Sequence, residues 1–152
     1  MTTSRVTAND SFLIADTSGL ISLAVQSDSN HEPAVAATES LQGKEHTILV
    51  PYEVYIETLN VLGKRVGHTR AIAVASYLSH TPPFLVIDSS AEARQEAITR
   101  FATLPKDVSF TDAMVMAVAD EYRTWGIFGF DEAFKKGDYQ IIEKKKSRRK
   151  AQ

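Results

Sequence analysis

The sequence predicts an α/β fold in which helices cover both faces of a parallel sheet of four or five strands. Short apolar runs of strand length alternate with longer segments of helical periodicity along the chain. The short runs are apolar at consecutive positions, which is typical of strands buried on both faces. With 152 residues, the chain has the length of one domain, and no repeat or linker divides it.

The first half of the chain contains two predicted strands. Phe12–Ala15 is an apolar run that ends in Asp16, and Thr47–Val50 is a second run of strand length. Pro51 follows the second run, and proline is favoured in the first turn of a helix. Helices are predicted in this half, in chain order, over Ser18–Val25, His31–Leu41, Tyr52–Arg65 and Thr69–Leu78.

The second half continues the alternation of strands and helices. Ser89 and Glu92 have the spacing of a capping box, and Ser109 and Asp112 form a similar pattern at the start of another helix. The predicted elements are the strand Phe84–Ile87, a helix from Ser89 to about Ala102, a helix from Ser109 to about Tyr122, the strand Ile127–Phe130, a short helix from Asp131 to Lys135 and a fifth strand over Tyr139–Ile142.

Composition excludes several classes of chemistry. The chain contains no cysteine, which rules out disulfides, iron–sulfur clusters, thiolate zinc sites and cysteine nucleophiles. Any bound metal must therefore use carboxylate, histidine or backbone ligands. Because no apolar run approaches the roughly 18 residues of a membrane helix, we expect a cytoplasmic protein with no membrane association.

Charge is distributed unevenly along the chain. Residues 1–142 hold 11 basic and 18 acidic residues, a net charge of −7, whereas residues 143–152 hold six basic residues and one acidic residue, a net charge of +5. We predict a disordered lead over 1–10, a single domain over 11–142 and a basic tail over 143–152. Such a tail can follow a phosphate backbone without base specificity, although a solvated tail explains the same charges.

Two aspartates come directly after predicted strands. Asp16 follows the first strand and Asp131 follows the fourth. Open parallel sheets bind ligands outside the carboxyl ends of their strands, so these two carboxylates could share one crevice. Helix capping explains each residue equally well, because each also precedes a predicted helix. The two interpretations are both open at this point.

Asp112 and Glu57 are two further acidic candidates. The helix that contains Asp112 is apolar almost all round, which predicts burial on most sides. A buried carboxylate needs a cation or hydrogen-bond donors, and no lysine or arginine follows Asp112 within ten residues. Interaction with the helix dipole is the alternative role for this residue. Glu57 lies nearer the apolar stripe of its helix than Glu53, which favours Glu57, although a solvated glutamate is also consistent.

Four motifs occur in order over about residues 12–142. They are an apolar strand followed by Asp16-Thr17-Ser18, then Glu57-Thr58-Leu59-Asn60-Val61-Leu62 on a helix, then Ser109-Phe110-Thr111-Asp112-Ala113, and finally Phe128-Gly129-Phe130-Asp131 followed by Phe134. Together these motifs resemble those of PIN-domain ribonucleases, and particularly those of the VapC-like toxins of toxin–antitoxin pairs. The resemblance implies a three-layer PIN-like fold with a central parallel sheet flanked by helices.

The resemblance also implies an acidic pocket that binds Mg²⁺ or Mn²⁺ and hydrolyses RNA. By motif position, Asp16 and Asp112 would be the principal metal ligands, and Glu57 and Asp131 would be ligands directly or through water. Hard divalent cations prefer oxygen ligands of this kind. A bound ion lowers the pKa of a water and neutralises charge on the phosphate, so the protein needs no covalent nucleophile.

Hydroxyl groups are also expected beside this pocket. Thr17 and Thr111 match the family's motifs and would orient water molecules near the carboxylates. Many family members carry serine or threonine two residues before the last acid, where this chain has Gly129. This departure from the family's pattern puts in doubt one hydrogen bond next to the metal site and the tightness of metal binding.

RNA, an antitoxin and a second copy of the chain are the partners that the resemblance implies. Toxins of this type dimerise and are held inactive by a small antitoxin, which often places a basic residue in the acidic groove; Coulomb attraction explains that choice. RNA recognition would need positive charge around the pocket. The residues that could supply it, besides the tail, are Lys64, Arg65, Arg70, Lys135 and Lys136.

Parts of this pattern also occur in other classes of protein. A phosphatase of the haloacid-dehalogenase type needs a second acid two residues after the first, and position 18 is serine. A receiver-type phosphoacceptor needs paired acids and a late strand-end lysine, neither of which is clear. A stand-alone RNA-processing nuclease of the PIN family and a catalytically weak PIN-like module that binds RNA or protein both stay open.

Overall fold

Four parallel strands form the centre of the structure, a computed structural model in which residues 11–144 are described. The strands lie in the order β3-β2-β1-β4, so the first strand of the chain is inside the sheet. The predicted α/β fold with a central parallel sheet is confirmed. The strands are β1 (Phe12–Ala15), β2 (Thr47–Pro51), β3 (Phe84–Ile87) and β4 (Ile127–Phe128).

Within residues 11–144, six α-helices connect and flank these strands. Helices α3 and α4 pack against each other, and α5 and α6 form a second packed pair, with α6 also lying against β1. A 3-10 helix over Glu132–Gly137 follows β4. The α-helices are α1 (Thr17–Ala24), α2 (His31–Leu41), α3 (Tyr52–Arg65), α4 (His68–His80), α5 (Ala91–Phe101) and α6 (Phe110–Glu121).

Helix α6 is buried along most of its length. Every residue from Asp112 to Ala119 is buried, which confirms the prediction made from its apolar surface. Beside it, the side chains of Phe128 and Phe134 are fully buried and join the end of the sheet to the 3-10 helix. This packing holds the chain segment after β4 in a defined position.

The cap of α5 lies one residue later than the sequence predicts. Ser90, rather than Ser89, accepts a hydrogen bond from the backbone of Ala93 at 2.9 Å. The hydroxyl of Ser89 instead donates to Oε2 of Glu53 at 2.8 Å. The capping box predicted for Ser89 and Glu92 is therefore wrong, because a tertiary contact with α3 takes the Ser89 side chain.

The structure differs from the sequence prediction at the last two predicted strands, of which one is shorter and the other is absent from residues 11–144. β4 ends at Phe128 because the backbone N–H of Phe130 donates to the Ser18 hydroxyl instead of continuing a ladder. The segment Tyr139–Ile142 forms a single parallel bridge between Gln140 and Gly126, and not a fifth strand. Its next hydrogen bond, from Ile142 N to Gly129 O at 2.9 Å, falls out of register with a regular ladder.

Two of the predicted segments lie outside residues 11–144, wholly or in large part. The lead over 1–10 lies outside the described residues, as does the tail from residue 145 onward. Among residues 11–144, no helix is long and apolar enough to cross a membrane. The division into lead, domain and tail stays a prediction.

Candidate metal centre

Three aspartates meet where the carboxyl ends of the two neighbouring strands β1 and β4 lie. Asp16 follows β1 directly, Asp131 follows β4 by three residues, and Asp112 is in the first turn of α6. One carboxylate oxygen from each of the three lies within 4.8 Å of the others. The topology places Asp16 and Asp131 together because β1 and β4 are adjacent and parallel.

Each of these aspartates also accepts a backbone hydrogen bond at the start of a helix, Asp16 and Asp131 as the N-cap and Asp112 as part of a capping box. Asp16 accepts from Ser18 N at 3.3 Å, Asp131 Oδ1 accepts from Ala133 N at 2.9 Å, and Asp112 Oδ2 accepts from Ser109 N at 3.2 Å. Within residues 11–144, the hydrogen bonds found for each carboxylate use one of its two oxygens. Capping and metal binding are therefore compatible roles, and the first explains how each side chain is oriented toward the cluster.

Burial and mutual repulsion make this cluster electrostatically unusual. The pKa of Asp16 is raised from 3.8 to about 7, chiefly by burial and also by the charges of Asp112 and Asp131, while hydrogen bonds from Ser18 oppose the shift. The pKa of Asp112 is also raised, first by burial and then by the charges of Asp131 and Glu57. Carboxylates in this arrangement take up protons or bind a cation.

The residues present fit a hard divalent cation. All three donors are carboxylates, and Asp16 and Asp112 are 3% and 7% exposed. No lysine or arginine within residues 11–144 forms an ion pair with any of the three. An oxygen-only set with uncompensated negative charge is the ligand chemistry that Mg²⁺ and Mn²⁺ prefer.

Glu57 lies beside the trio without belonging to it. Its Oε1 accepts a hydrogen bond from the Thr17 hydroxyl at 2.9 Å, and its charge raises the pKa of Asp112. Glu53, one turn earlier on α3, instead contacts Ser89. The structure thus brings Glu57 to the cluster and turns Glu53 away. Thr111 is half-buried in the first turn of α6, next to Asp112.

Ser18 is the residue of this site that sequence reasoning missed. Its hydroxyl donates to Asp16 Oδ2 at 2.8 Å and accepts from Phe130 N at 2.9 Å. Ser18 was visible only as the third residue of the Asp16-Thr17-Ser18 motif. The one signal in the sequence was glycine at position 129, where many family members have serine or threonine. That difference indicates that a hydroxyl from another residue could lie beside Asp16.

The five basic side chains predicted to contact RNA are all exposed. Lys64 and Arg65 are in the last turn of α3, and Lys64 is two helical turns from Glu57 on the same face. Arg70, in α4, donates to the carbonyl of Ala24 at 3.2 Å. The remaining two lie in the last turn of the 3-10 helix that Asp131 caps; they are Lys135 and Lys136.

An open apolar groove lies on the surface between α3 and α4, where these packed helices both line it. Its volume is about 360 Å³. Ile72 is 69% exposed there, which is high for a side chain of this size. The groove includes Lys64 and so begins on the helix face that carries Glu57. Its other lining residues include Leu59, Asn60, Gly63, His68 and Ala71.

The fold and the site together define an α/β protein with a carboxylate cluster suited to a divalent cation. The PIN domain model matches residues 13–138, so the chain belongs to the PIN domain family. The family resemblance inferred from the four motifs is confirmed.

A solved structure extends this comparison at the level of the fold. The crystal structure of Mycobacterium tuberculosis VapC20, a toxin that cleaves the sarcin–ricin loop, superimposes with a TM-score of 0.75 at 23% identity. The match covers 84% of this chain and 96% of the VapC20 chain. No curated protein matches the sequence.

Proposed function

We propose that this protein is a metal-dependent endoribonuclease that hydrolyses RNA phosphodiesters at the cluster of Asp16, Asp112 and Asp131. The observation that carries the proposal is the approach of three carboxylate oxygens to within 4.8 Å of one another without a protein cation among the described residues. Asp16 and Asp112 would be the principal ligands of Mg²⁺ or Mn²⁺, and Asp131 and Glu57 would bind directly or through water.

The chain's own residues have distinct parts in this proposal. A bound ion would supply a water of lowered pKa and would neutralise charge on the phosphate. Ser109 and Ser18 hold the carboxylates of Asp112 and Asp16 by hydrogen bonds. Thr17 holds Glu57 at the edge of the cluster, where it adds a fourth negative charge. Burial of Asp16 and Asp112 keeps bulk water from screening the site.

The toxin of a toxin–antitoxin pair is the biological role we propose. The fold is shared with VapC20 along most of both chains, and the acidic cluster would attract a basic segment of an antitoxin. The apolar groove between α3 and α4 offers a surface for that protein or for a second copy of the chain. A stand-alone RNA-processing nuclease and a binding module are the outcomes that the experiment below distinguishes.

Cleavage of labelled RNA tests the proposed activity directly. Single-stranded RNA, a structured RNA and a hairpin with the sarcin–ricin sequence are incubated with Mn²⁺, Mg²⁺ or EDTA. We expect cleavage that needs the metal and is lost in Asp112→Asn. The matched control is Asp107→Asn, which changes an exposed aspartate five residues away and should cleave like the wild type.

Comparison of the wild type with Asp112→Asn separates a nuclease from a contaminating ribonuclease and from a binding module. Cleavage that survives Asp112→Asn would come from a contaminating ribonuclease and would count against the proposal. RNA binding without cleavage under any metal, from folded and antitoxin-free protein, would indicate the binding module. Cleavage confined to the sarcin–ricin hairpin would favour the toxin over a general RNA-processing nuclease.

A further inference from the structure

We propose that Ser18 is the positioning residue for Asp16, and that position 129 is glycine because the Ser18 hydroxyl and the Asp16 side chain occupy the space of a side chain there. This inference rests on the proposed metal centre and deepens it. Two observations support it independently: the hydrogen bonds of Ser18 and the space around Gly129.

The Ser18 hydroxyl bridges the ends of two strands. It donates to Asp16 Oδ2 at 2.8 Å and accepts from Phe130 N at 2.9 Å, so it links the residue after β1 to the segment that leads to Asp131. The backbone N–H of Ser18 also donates to Asp16 Oδ2, at 3.3 Å. Two donors on one oxygen hold the carboxylate in a single orientation, as partners of metal ligands commonly do.

Gly129 leaves no room for the serine or threonine that many family members carry. A Cβ atom at this position would lie 2.8 Å from the Asp16 Cβ and 3.1 Å from the Ser18 Oγ. Because the Asp16 Cβ is attached to the backbone at the end of β1, a Cβ at position 129 would require the Asp16 side chain or the backbone to shift. The hydroxyl that holds the Asp16 carboxylate comes instead from Ser18 in α1.

Mn²⁺ affinity, measured by calorimetry on the metal-free protein, tests this role without relying on cleavage. We expect Ser18→Ala to raise the Kd for Mn²⁺ by about tenfold, as substitutions of residues that support metal ligands do. Ser18→Thr keeps a hydroxyl and should bind more tightly than Ser18→Ala. Unfolding temperatures are measured for each variant, so that loss of fold is not mistaken for loss of affinity.

Thr124 provides a matched control at the opposite end of the same strand pair. Its hydroxyl donates to Phe12 O at 2.6 Å and accepts from Gly126 N at 3.1 Å, so it also links β1 to the segment of β4. It does not touch Asp16. Thr124→Val should destabilise the protein and leave the Kd for Mn²⁺ within about twofold. An equal loss of affinity in Thr124→Val would overturn the inference, because a general link between strands would then explain it.

Gly129→Ser tests the second half of the inference. We expect it to weaken Mn²⁺ binding, and we expect the double variant Ser18→Ala with Gly129→Ser to show no recovery, because the contact with the Asp16 Cβ persists. Recovery in the double variant would overturn the steric argument. Asp112→Asn is run alongside. If Asp112→Asn bound Mn²⁺ as tightly as the wild type, the metal centre itself would be refuted. If Asp112→Asn lost Mn²⁺ affinity while Ser18→Ala kept it, only the role of Ser18 would be refuted.

Discussion

Thr17 and Glu57, which are 40 residues apart in the chain, are joined by a 2.9 Å hydrogen bond from the threonine hydroxyl to Oε1 of the glutamate. This contact ties the first turn of α1 to the middle of α3. It selects one of two glutamates on α3 for the carboxylate cluster, since Glu53 is held by Ser89 on the side of β3. The selection depends on partners from distant parts of the sequence.

Glu57→Gln and Glu53→Gln form a matched pair that tests this selection. We expect Glu57→Gln to weaken Mn²⁺ binding and RNA cleavage by about tenfold or more, because it removes a negative charge that acts on Asp112. Glu53→Gln should leave the Kd for Mn²⁺ and the rate of RNA cleavage within about twofold of the wild-type values. Calorimetry and cleavage rates provide the measurements. Equal effects of the two substitutions would place Glu57 outside the site.

The stability of the metal-free protein should fall as pH rises from about 4 to about 7. The pKa of Asp16 is raised from 3.8 to about 7 by burial, so the folded state binds more protons than the unfolded state over this range. Linkage then lowers the free energy of unfolding by an amount on the order of 4 kcal/mol. The stabilisation by protonated Asp16 is present below about pH 4 and is lost as pH passes through 7.

Urea unfolding in EDTA between pH 4 and 8 measures this dependence. Asp16→Asn cannot ionise, so it should be more stable than the wild type above pH 7, and the difference should narrow at low pH. Asp107→Asn, at an exposed position, should reproduce the wild-type profile. A wild-type profile that is flat between pH 4 and 7 would argue against the burial of an ionisable Asp16.

Two helical glycines should respond in opposite ways to alanine. At Gly19, a Cβ would clash with the carbonyl oxygen of Phe128, a backbone atom of β4, so Gly19→Ala should destabilise the protein by about 1–3 kcal/mol. At Gly63, the nearest atom is on the exposed ring of His68 at 3.2 Å. If the ring moves aside, Gly63→Ala should raise the free energy of unfolding by about 0.5–1 kcal/mol. Urea denaturation measures the free energy of unfolding of both variants. A Gly19→Ala variant as stable as the wild type would contradict the close packing of α1 on β4.

Tyr139→Phe should cost about 1–3 kcal/mol of stability. The Tyr139 hydroxyl accepts from Arg100 at 2.8 Å and donates to Asp120 at 2.7 Å, so it joins α5, α6 and the chain after the 3-10 helix. The same removal of a hydroxyl at Tyr52, which is 46% exposed, should change stability by less than about 0.5 kcal/mol. Chemical denaturation of both variants measures the change, and equal losses of stability would show that the hydrogen bonds of the Tyr139 hydroxyl contribute little.

Local pattern was sufficient for most of the fold. The apolar runs at β1, β2 and β3 and the periodic helices between them were predicted within a residue or two, because each depends on the hydrophobicity of its own segment. The same local signal predicted the burial of α6. It failed at Ser89 and Tyr139–Ile142, where a contact with Glu53 and an out-of-register hydrogen bond decide the outcome.

The acidic residues themselves could be read from the sequence, since Asp16 and Asp131 follow strands and Asp112 begins a buried helix. Their meeting within 4.8 Å and the choice of Glu57 over Glu53 were decided by the tertiary structure. The same holds for the replacement of a hydroxyl at position 129 by that of Ser18. Strand order and helix packing bring together groups separated by up to 115 residues, and no local propensity encodes those distances.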